Sequence, residues 1–260
     1  MQLEGKIAVI TGGGRGIGKS IALVFAGEGA DVVIAARTEA DLKKTAAEIE
    51  AMGRKCLAIV TDQAVPKQVH AMVDRTLEKF GRVDVLVNNA GIGGPAASVA
   101  DMDLEAWNQT LAINLTGSML CAKYILKDDM IPRKSGNIIN ISSVSGRMGH
   151  AMRSPYAASK WGLIGLTQSL ALEVGKYGIR VNCITPGPVE GERIEWAMRK
   201  VSQAQGISYE QAVANEVART ALGKMIKPEE VGYLAVFLAS EKSAGITGQT
   251  INCSAGLRMD

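Results

Sequence analysis

The sequence predicts a three-layer α/β fold, a doubly wound parallel sheet of about seven strands with helices on both faces. Short apolar, β-branched runs recur along the chain, as buried parallel strands require. Between consecutive runs lie segments whose apolar residues fall three and four apart, the spacing of one helical face. These connections are too long for hairpins, so successive strands must be joined by right-handed crossovers.

The first run, KIAVIT at 6–11, leads into the turn TGGGRGIG at 11–18 and a helix with Ile21, Val24 and Phe25 on one face. The second, ADVVIAA at 30–36, precedes a helix carrying Leu42, Ala46 and Ile49. KCLAIV at 55–60, VDVLVN at 83–88, GNIINIS at 136–142, IRVNCIT at 179–185 and QTINC at 249–253 complete the strands. Segments 104–127 and 155–176 read as long helices, apolar on more than one face, which suggests burial beyond a monomer core. Residues 187–227 read as a helical insertion between the last two strands, of the kind that forms lids and binding loops. No linker or repeat divides the chain, so one domain is expected over 1–260.

Composition narrows the partners. A net charge of +3, with basic residues scattered among acidic ones, leaves no electrostatic footprint for nucleic acid or an anionic membrane. The opening residues run directly into a strand and no apolar run reaches spanning length, so a cytoplasmic protein with a small-molecule partner is expected. Cys56, Cys121, Cys183 and Cys253 lack any CxxC pairing and fit reduced thiols; no metal site is expected.

The glycine turn lies between a strand and a helix, the context in which such a turn cradles a dinucleotide in a Rossmann-type sheet. Gly12 suits the tight turn, the bare backbone of Gly16 admits a pyrophosphate, and Gly18 lets helix and sheet approach. Gly14, Arg15 and Ile17 complete the loop. An NAD site usually carries an acid at the end of the second strand to bind the ribose hydroxyls; here Ala36 stands there, followed by Arg37 and Thr38. With Arg15 nearby, two guanidiniums can flank a ribose phosphate, so NADP(H) is favoured, with NAD(H) as the alternative.

Tyr156 and Lys160 stand four apart in SPYAASKWGLIGLTQSLALEV, on one helical face. A phenol ionises near pH 10 in water, and a neighbouring ammonium stabilises its phenolate and brings proton transfer into working range.

TGGGRGIG, NNAG at 88–91, Asn114 in AINLTG, ISSVSG at 141–146, YAASK at 156–160 and PGPV at 186–189 resemble, in order and spacing, the motifs of the short-chain dehydrogenase/reductase family. The resemblance covers essentially the whole chain and points toward 3-oxoacyl-carrier-protein reductase-like members. It implies a catalytic tetrad of Asn114, Ser143, Tyr156 and Lys160. In that reading Ser143 bonds the substrate oxygen, Tyr156 exchanges its proton, Lys160 binds the nicotinamide ribose and lowers the phenol pKa, and Asn114 holds a water on the proton path. The resemblance also implies adenine contact from Asp62, ribose packing from Asn88, Ala90 and Gly91, and a nicotinamide border of Pro186, Gly187 and Val189. Two departures stand out. No threonine follows Pro-Gly in PGPVEGERIE, and Ser254 in CSAG replaces an aspartate whose role is structural. A homotetramer is the family expectation.

Ser143, His150, Arg153, Tyr156 and Arg193 are expected to face the substrate, with Met152 and Trp196 nearby. Arg153 or Arg193 is a candidate partner for an anionic group, against the alternative of a solvated surface arginine. His150 is read as pocket wall, and Trp107 and Trp161 as packing at helix interfaces. Three functions fit: a reductase or dehydrogenase of a small polar or sugar-like alcohol, a 3-oxoacyl-carrier-protein reductase, and a non-catalytic NADP sensor. Basic residues at the site mouth favour the second, and an intact tetrad counts against the third.

Overall fold

A computed structural model describes all of residues 1–260. Its centre is a seven-stranded sheet in the order β3-β2-β1-β4-β5-β6-β7, with every neighbouring pair parallel. The strands are β1 (Ile7–Thr11), β2 (Asp31–Ala36), β3 (Cys56–Val60), β4 (Val85–Asn88), β5 (Gly136–Ile141), β6 (Ile179–Pro186) and β7 (Thr250–Cys253). Each lies within the run read for it, apart from Pro186, which extends β6 by one residue. Strand order reverses between β1 and β4, and this opens a crevice at the carboxyl ends of the strands, where open α/β sheets bind ligands.

The helices are α1 (Gly16–Gly27), α2 (Glu39–Ala51), α3 (Pro66–Phe80), α4 (Leu104–Leu111), α5 (Gly117–Ile125), α6 (Ile131–Arg133), α7 (Ser154–Val174), α8 (Glu192–Gln205), α9 (Tyr209–Ala218) and α10 (Pro228–Ala239). Because strand side chains alternate, each sheet face feeds its own core. Ala8, Ile10, Val32 and Ile34 pack with Ile21 and Phe25 of α1 and Val231 and Val236 of α10. Val9, Val33, Leu86 and Ile138 pack on the other face with Met72 of α3, Ile125 of α5 and Val174 of α7. Full burial of each such aliphatic side chain contributes about 1.5–3 kcal/mol.

The helix read over 104–127 extends further and is not regular. Asp103 caps its start, Oδ1 accepting the Ala106 amide at 2.7 Å, and π turns at Ala112–Thr116 and Leu126–Met130 separate α4, α5 and α6. Each π turn accommodates an extra residue, which apolar periodicity does not register.

The insertion at 187–227 is closed at its neck. Val189 and Ile226 pair as a parallel bridge, Ile226 N donates to Pro188 O at 2.8 Å, and Glu190 N donates to Ile226 O at 2.9 Å. The arch so formed carries α8 and α9 over the carboxyl ends of the strands.

The outer surfaces of α5 and α7 show Met119, Trp161 and Leu172 to solvent, Trp161 at 51% exposure and Leu172 at 86%. Trp161, expected at a helix interface, therefore has no such packing within one chain, whereas Trp107 is half-buried. No helix is long and apolar enough to cross a membrane. All four cysteines are free; burial pushes the Cys56 and Cys121 thiols up to about 12 and that of Cys183 up to about 11, which suits inert filling.

Candidate active site

Packing assigns the glycines of the first turn distinct tasks. Gly12 has φ of +68°, and a Cβ there would stand 2.8 Å from Asn89 Nδ2 and 2.9 Å from Ala90 Cα. A Cβ on Gly18 would collide with Gly12 O and Asn89 Nδ2. Gly14 is buried, and its Cβ would lie 3.0 Å from that of Asp41. Gly16, with φ of +55°, has nothing within 4 Å of its Cβ position and faces open space.

α1 begins at Gly16 without a side-chain cap and without an acid in its first turn, so the positive end of its dipole is uncompensated. Half-buried Ile17 roots that turn. Free amides, an open glycine backbone and no side-chain cap fit a pyrophosphate.

Asn89 went unremarked in the sequence reading although it belongs to NNAG. Its Nδ2 donates to Thr11 O at 2.9 Å, while Thr11 Oγ1 accepts the amides of Asn89 at 3.1 Å and Ala90 at 3.0 Å. This pair ties the glycine turn to the end of β4. Gln63, next to Asp62, also works here: its buried Nε2 donates to Ala90 O at 3.0 Å and Ile113 O at 2.6 Å. A buried amide in a loop signals such a tie only once its partners are known.

Ala36 ends β2, and Arg37 and Thr38 beyond it are exposed, Arg37 without an ion pair. Arg15 makes only a solvent-exposed 3.8 Å contact with Glu192. Asp62 follows β3 and is held in its turn, Oδ1 accepting the Ala64 amide at 2.9 Å and its own amide donating to Gln68 at 2.7 Å. Asn88 is buried, and its Nδ2 donates to Asn140 Oδ1 at 2.9 Å and Ser118 O at 3.2 Å. Its side chain thus stitches β4 to β5, leaving Ala90 and exposed Gly91 at the crevice.

The catalytic candidates meet where β5 ends and α7 begins. Lys160 Nζ donates to Ile141 O at 2.8 Å and lies 5.8 Å from the centroid of the Tyr156 ring. A Cβ on Gly91 would approach Nζ to 3.5 Å, so the missing side chain leaves room beside the ammonium. Ser142 Oγ donates to Lys160 O at 2.7 Å and is thereby occupied, whereas Ser143 Oγ accepts the Ser145 amide at 3.2 Å and keeps its own proton to donate. Asn114 is fully buried in the first π turn, its amide shared among Ile92 N, Ile92 O and Ser159 Oγ.

Tyr156 is 6% exposed. Burial pushes its phenol up, but the cations of Arg193 and Lys160, the Ser143 hydroxyl and the Arg153 cation outweigh it and bring the pKa down to about 8. Burial lowers the Lys160 pKa, opposed by the phenolate form of Tyr156.

Pro186 is buried at the end of β6, Gly187 N donates to Cys253 O at 2.9 Å, and half-buried Val189 opens the arch. A Cβ on Gly187 would stand 2.8 Å from Ser254 Cα. Ser254 Oγ in turn accepts the Arg258 amide at 3.3 Å, so this serine closes the last turn beneath Gly187.

Of the substrate candidates, Arg153 and Arg193 reach the Tyr156 ring, their guanidinium carbons 4.7 and 5.1 Å from its centroid. His150 Nδ1 instead meets Ser145 Oγ at 3.2 Å; burial first, then the charges of Arg153 and Arg219, hold its pKa down. Met152 and Trp196 are exposed at 53% and 62%.

The short chain dehydrogenase family model matches residues 6–200. The 3-oxoacyl-[acyl-carrier-protein] reductase FabG of Thermotoga maritima is 37% identical, the match covering 99% of each chain. Among solved structures, an actinorhodin polyketide ketoreductase variant with NADPH superposes with a TM-score of 0.93 at 34% identity, covering 99% of this chain and 98% of that one. An NAD+-bound xylitol dehydrogenase gives 0.92 at 27% identity, covering 98% of this chain and all, 100%, of that one. This chain belongs to the short-chain dehydrogenase/reductase family of oxidoreductases.

Proposed function

We propose that the protein interconverts a secondary alcohol and a ketone, using NADP(H) as cofactor and Tyr156 as the group that gives and takes the proton. The observation that carries this reading is a buried phenol held near the working pH range by surrounding cations. A nicotinamide dinucleotide, when bound, supplies or accepts the hydride. The uncapped start of α1 and the open backbone of Gly16 suit its pyrophosphate, the space beside Gly91 and Lys160 Nζ suits its nearer ribose, and Arg37 and Arg15 suit a 2′-phosphate.

Ser143 donates to the substrate oxygen and Tyr156 passes it the proton in the reducing direction. Lys160, held by Ile141 O, stays beside the ring and stabilises the phenolate left behind. Asn114 spends its side-chain donors on Ile92 O and Ser159 Oγ, so its amide acts by holding the loop beside Lys160.

The substrate read from the sequence is small and polar or sugar-like. The similarity to FabG favours a second reading, reduction of a 3-oxoacyl group on a carrier protein. Against it, Arg153 and Arg193 lie on the phenol ring itself rather than fanning out over a docking rim. A panel of ketones, alcohols and a short 3-oxoacyl thioester, followed by nicotinamide absorbance with each cofactor, tests both readings. Tyr156→Phe is expected to lower kcat on the best substrate about 10²–10⁴-fold while cofactor binding persists. Undiminished turnover in that variant overturns the proton-transfer role.

A further inference from the structure

We infer that Arg153 and Arg193 together form a carboxylate site beside Tyr156, so that the substrate is a short oxo acid or hydroxy acid. This rests on the reading of Tyr156 as the proton-transfer group. The two guanidinium carbons lie 4.7 and 5.1 Å from the centroid of one ring, and neither group has a carboxylate within ion-pair distance. Arg153 makes one hydrogen bond, Nη2 to Gly93 O at 3.2 Å, and most of its fork of donors remains free. Both groups aim at the same bare spot: a Cβ on Gly93 would stand 3.0 Å from Arg153 Nη2 and 3.6 Å from Arg193 Nη2.

The backbone is strained to arrange this. Met152 has φ of +64°, a left-handed conformation unfavourable for a methionine, yet its side chain is 53% exposed and gains little from burial. That turn delivers Arg153 to the N-cap of α7, where no side chain caps the helix and a cation meets the positive end of the dipole. Arg153, Arg193, Lys160 and a helix start thus surround one phenol with no negative charge among them. Burial lowers the Arg153 pKa, the phenolate form of Tyr156 opposes this, and the nearby Arg193 charge lowers it further; no carboxylate takes part. A planar, two-oxygen anion matches two guanidinium forks.

Their position against the ring limits the substrate. The anionic group must lie only a few bonds from the carbon that receives or gives the hydride, as in a 2- or 3-oxo acid. A phosphate at the far end of a carrier-protein arm would need cations at the rim instead.

The test compares 3-oxobutanoate with methyl 3-oxobutanoate, which share a reacting ketone and differ in charge. The charged member is expected to be preferred in kcat/KM, and Arg153→Ala and Arg193→Ala are each expected to reduce that preference about tenfold or more. Either substitution also weakens stabilisation of the phenolate, but this acts on both substrates and cancels in the ratio. Arg199→Ala, an arginine of α8 that lies over Tyr209, should leave the ratio unchanged. An unaltered ratio in both site variants overturns the inference. So does a preference for the ester or for a 3-oxoacyl thioester in the unmodified protein, or equal losses on both substrates with weakened NADPH binding, which would give the arginines to the cofactor.

Should neither ketone turn over with either cofactor, the carboxylate site is judged by calorimetry with butanoate and butanamide, while the panel of other ketones and alcohols judges the oxidoreductase reading. Binding of butanoate alone, lost in the Arg153→Ala/Arg193→Ala double variant, supports the site. Equal binding of the two, or of neither, overturns it.

Discussion

Asn114 and Ile92 are joined by a two-way amide pair, in which Asn114 Oδ1 accepts the Ile92 amide at 2.8 Å and Asn114 Nδ2 donates to the Ile92 carbonyl at 3.0 Å. A side chain here imitates a neighbouring strand and gives the loop after β4 its backbone partners. The loop carries Gly91, whose Cβ position lies 3.1 Å from Asn114 Oδ1 and 3.5 Å from Lys160 Nζ. Placement of the space beside the lysine therefore depends on Asn114.

Asn114→Ala should orphan both backbone groups of Ile92, at a cost of about 1–3 kcal/mol for each that stays dry. A lower Tm together with reduced kcat is the expected result. An unchanged Tm in thermal unfolding would show that water replaces the pair without loss.

The phenol pKa of about 8 sets opposite pH profiles for the two directions. In the proposed mechanism reduction needs the protonated phenol, so its rate should be level at lower pH and fall as pH rises through about 8. Oxidation needs the phenolate and should rise over the same interval. Arg193 is the strongest of the influences that lower this pKa, so Arg193→Ala should move both limbs to higher pH. Kinetic pH profiles of the variant that coincide with those of the unmodified protein would remove Arg193 from the electrostatics of the phenol.

Arg37 stands exposed just beyond β2 with no carboxylate at the strand end to oppose a ribose phosphate. Arg37→Asp should raise KM for NADPH far more than for NADH, because it replaces an attractive charge with a repulsive one only where the extra phosphate sits. Equal changes for the two cofactors would refute the assignment.

Much of this architecture was legible from local pattern. The seven apolar runs, the helical spacing between them and the strand–glycine–helix order at 6–27 are properties of neighbouring residues, and each becomes the element read from it. Tyr156 and Lys160 were legible for the same reason, since one turn of helix fixes their separation whatever surrounds them. Asn89 and Gln63 escaped because their partners, Thr11, Ala90 and Ile113, lie far away in sequence, and a buried amide in a loop looks like any polar turn residue until those partners meet it.

The sequence by itself determined the doubly wound sheet, the strand–glycine–helix turn and the phenol–ammonium pair, because periodicity, glycine sterics and helical spacing act over a few residues. Only the tertiary structure decided that Ser143 rather than Ser142 turns its hydroxyl to the Tyr156 phenol, that the helix over 104–127 widens at Asn114, and that Arg153 and Arg193, forty positions apart, converge on one ring. Those outcomes depend on which burial costs are met by which distant partners, and only the folded chain brings such partners within reach.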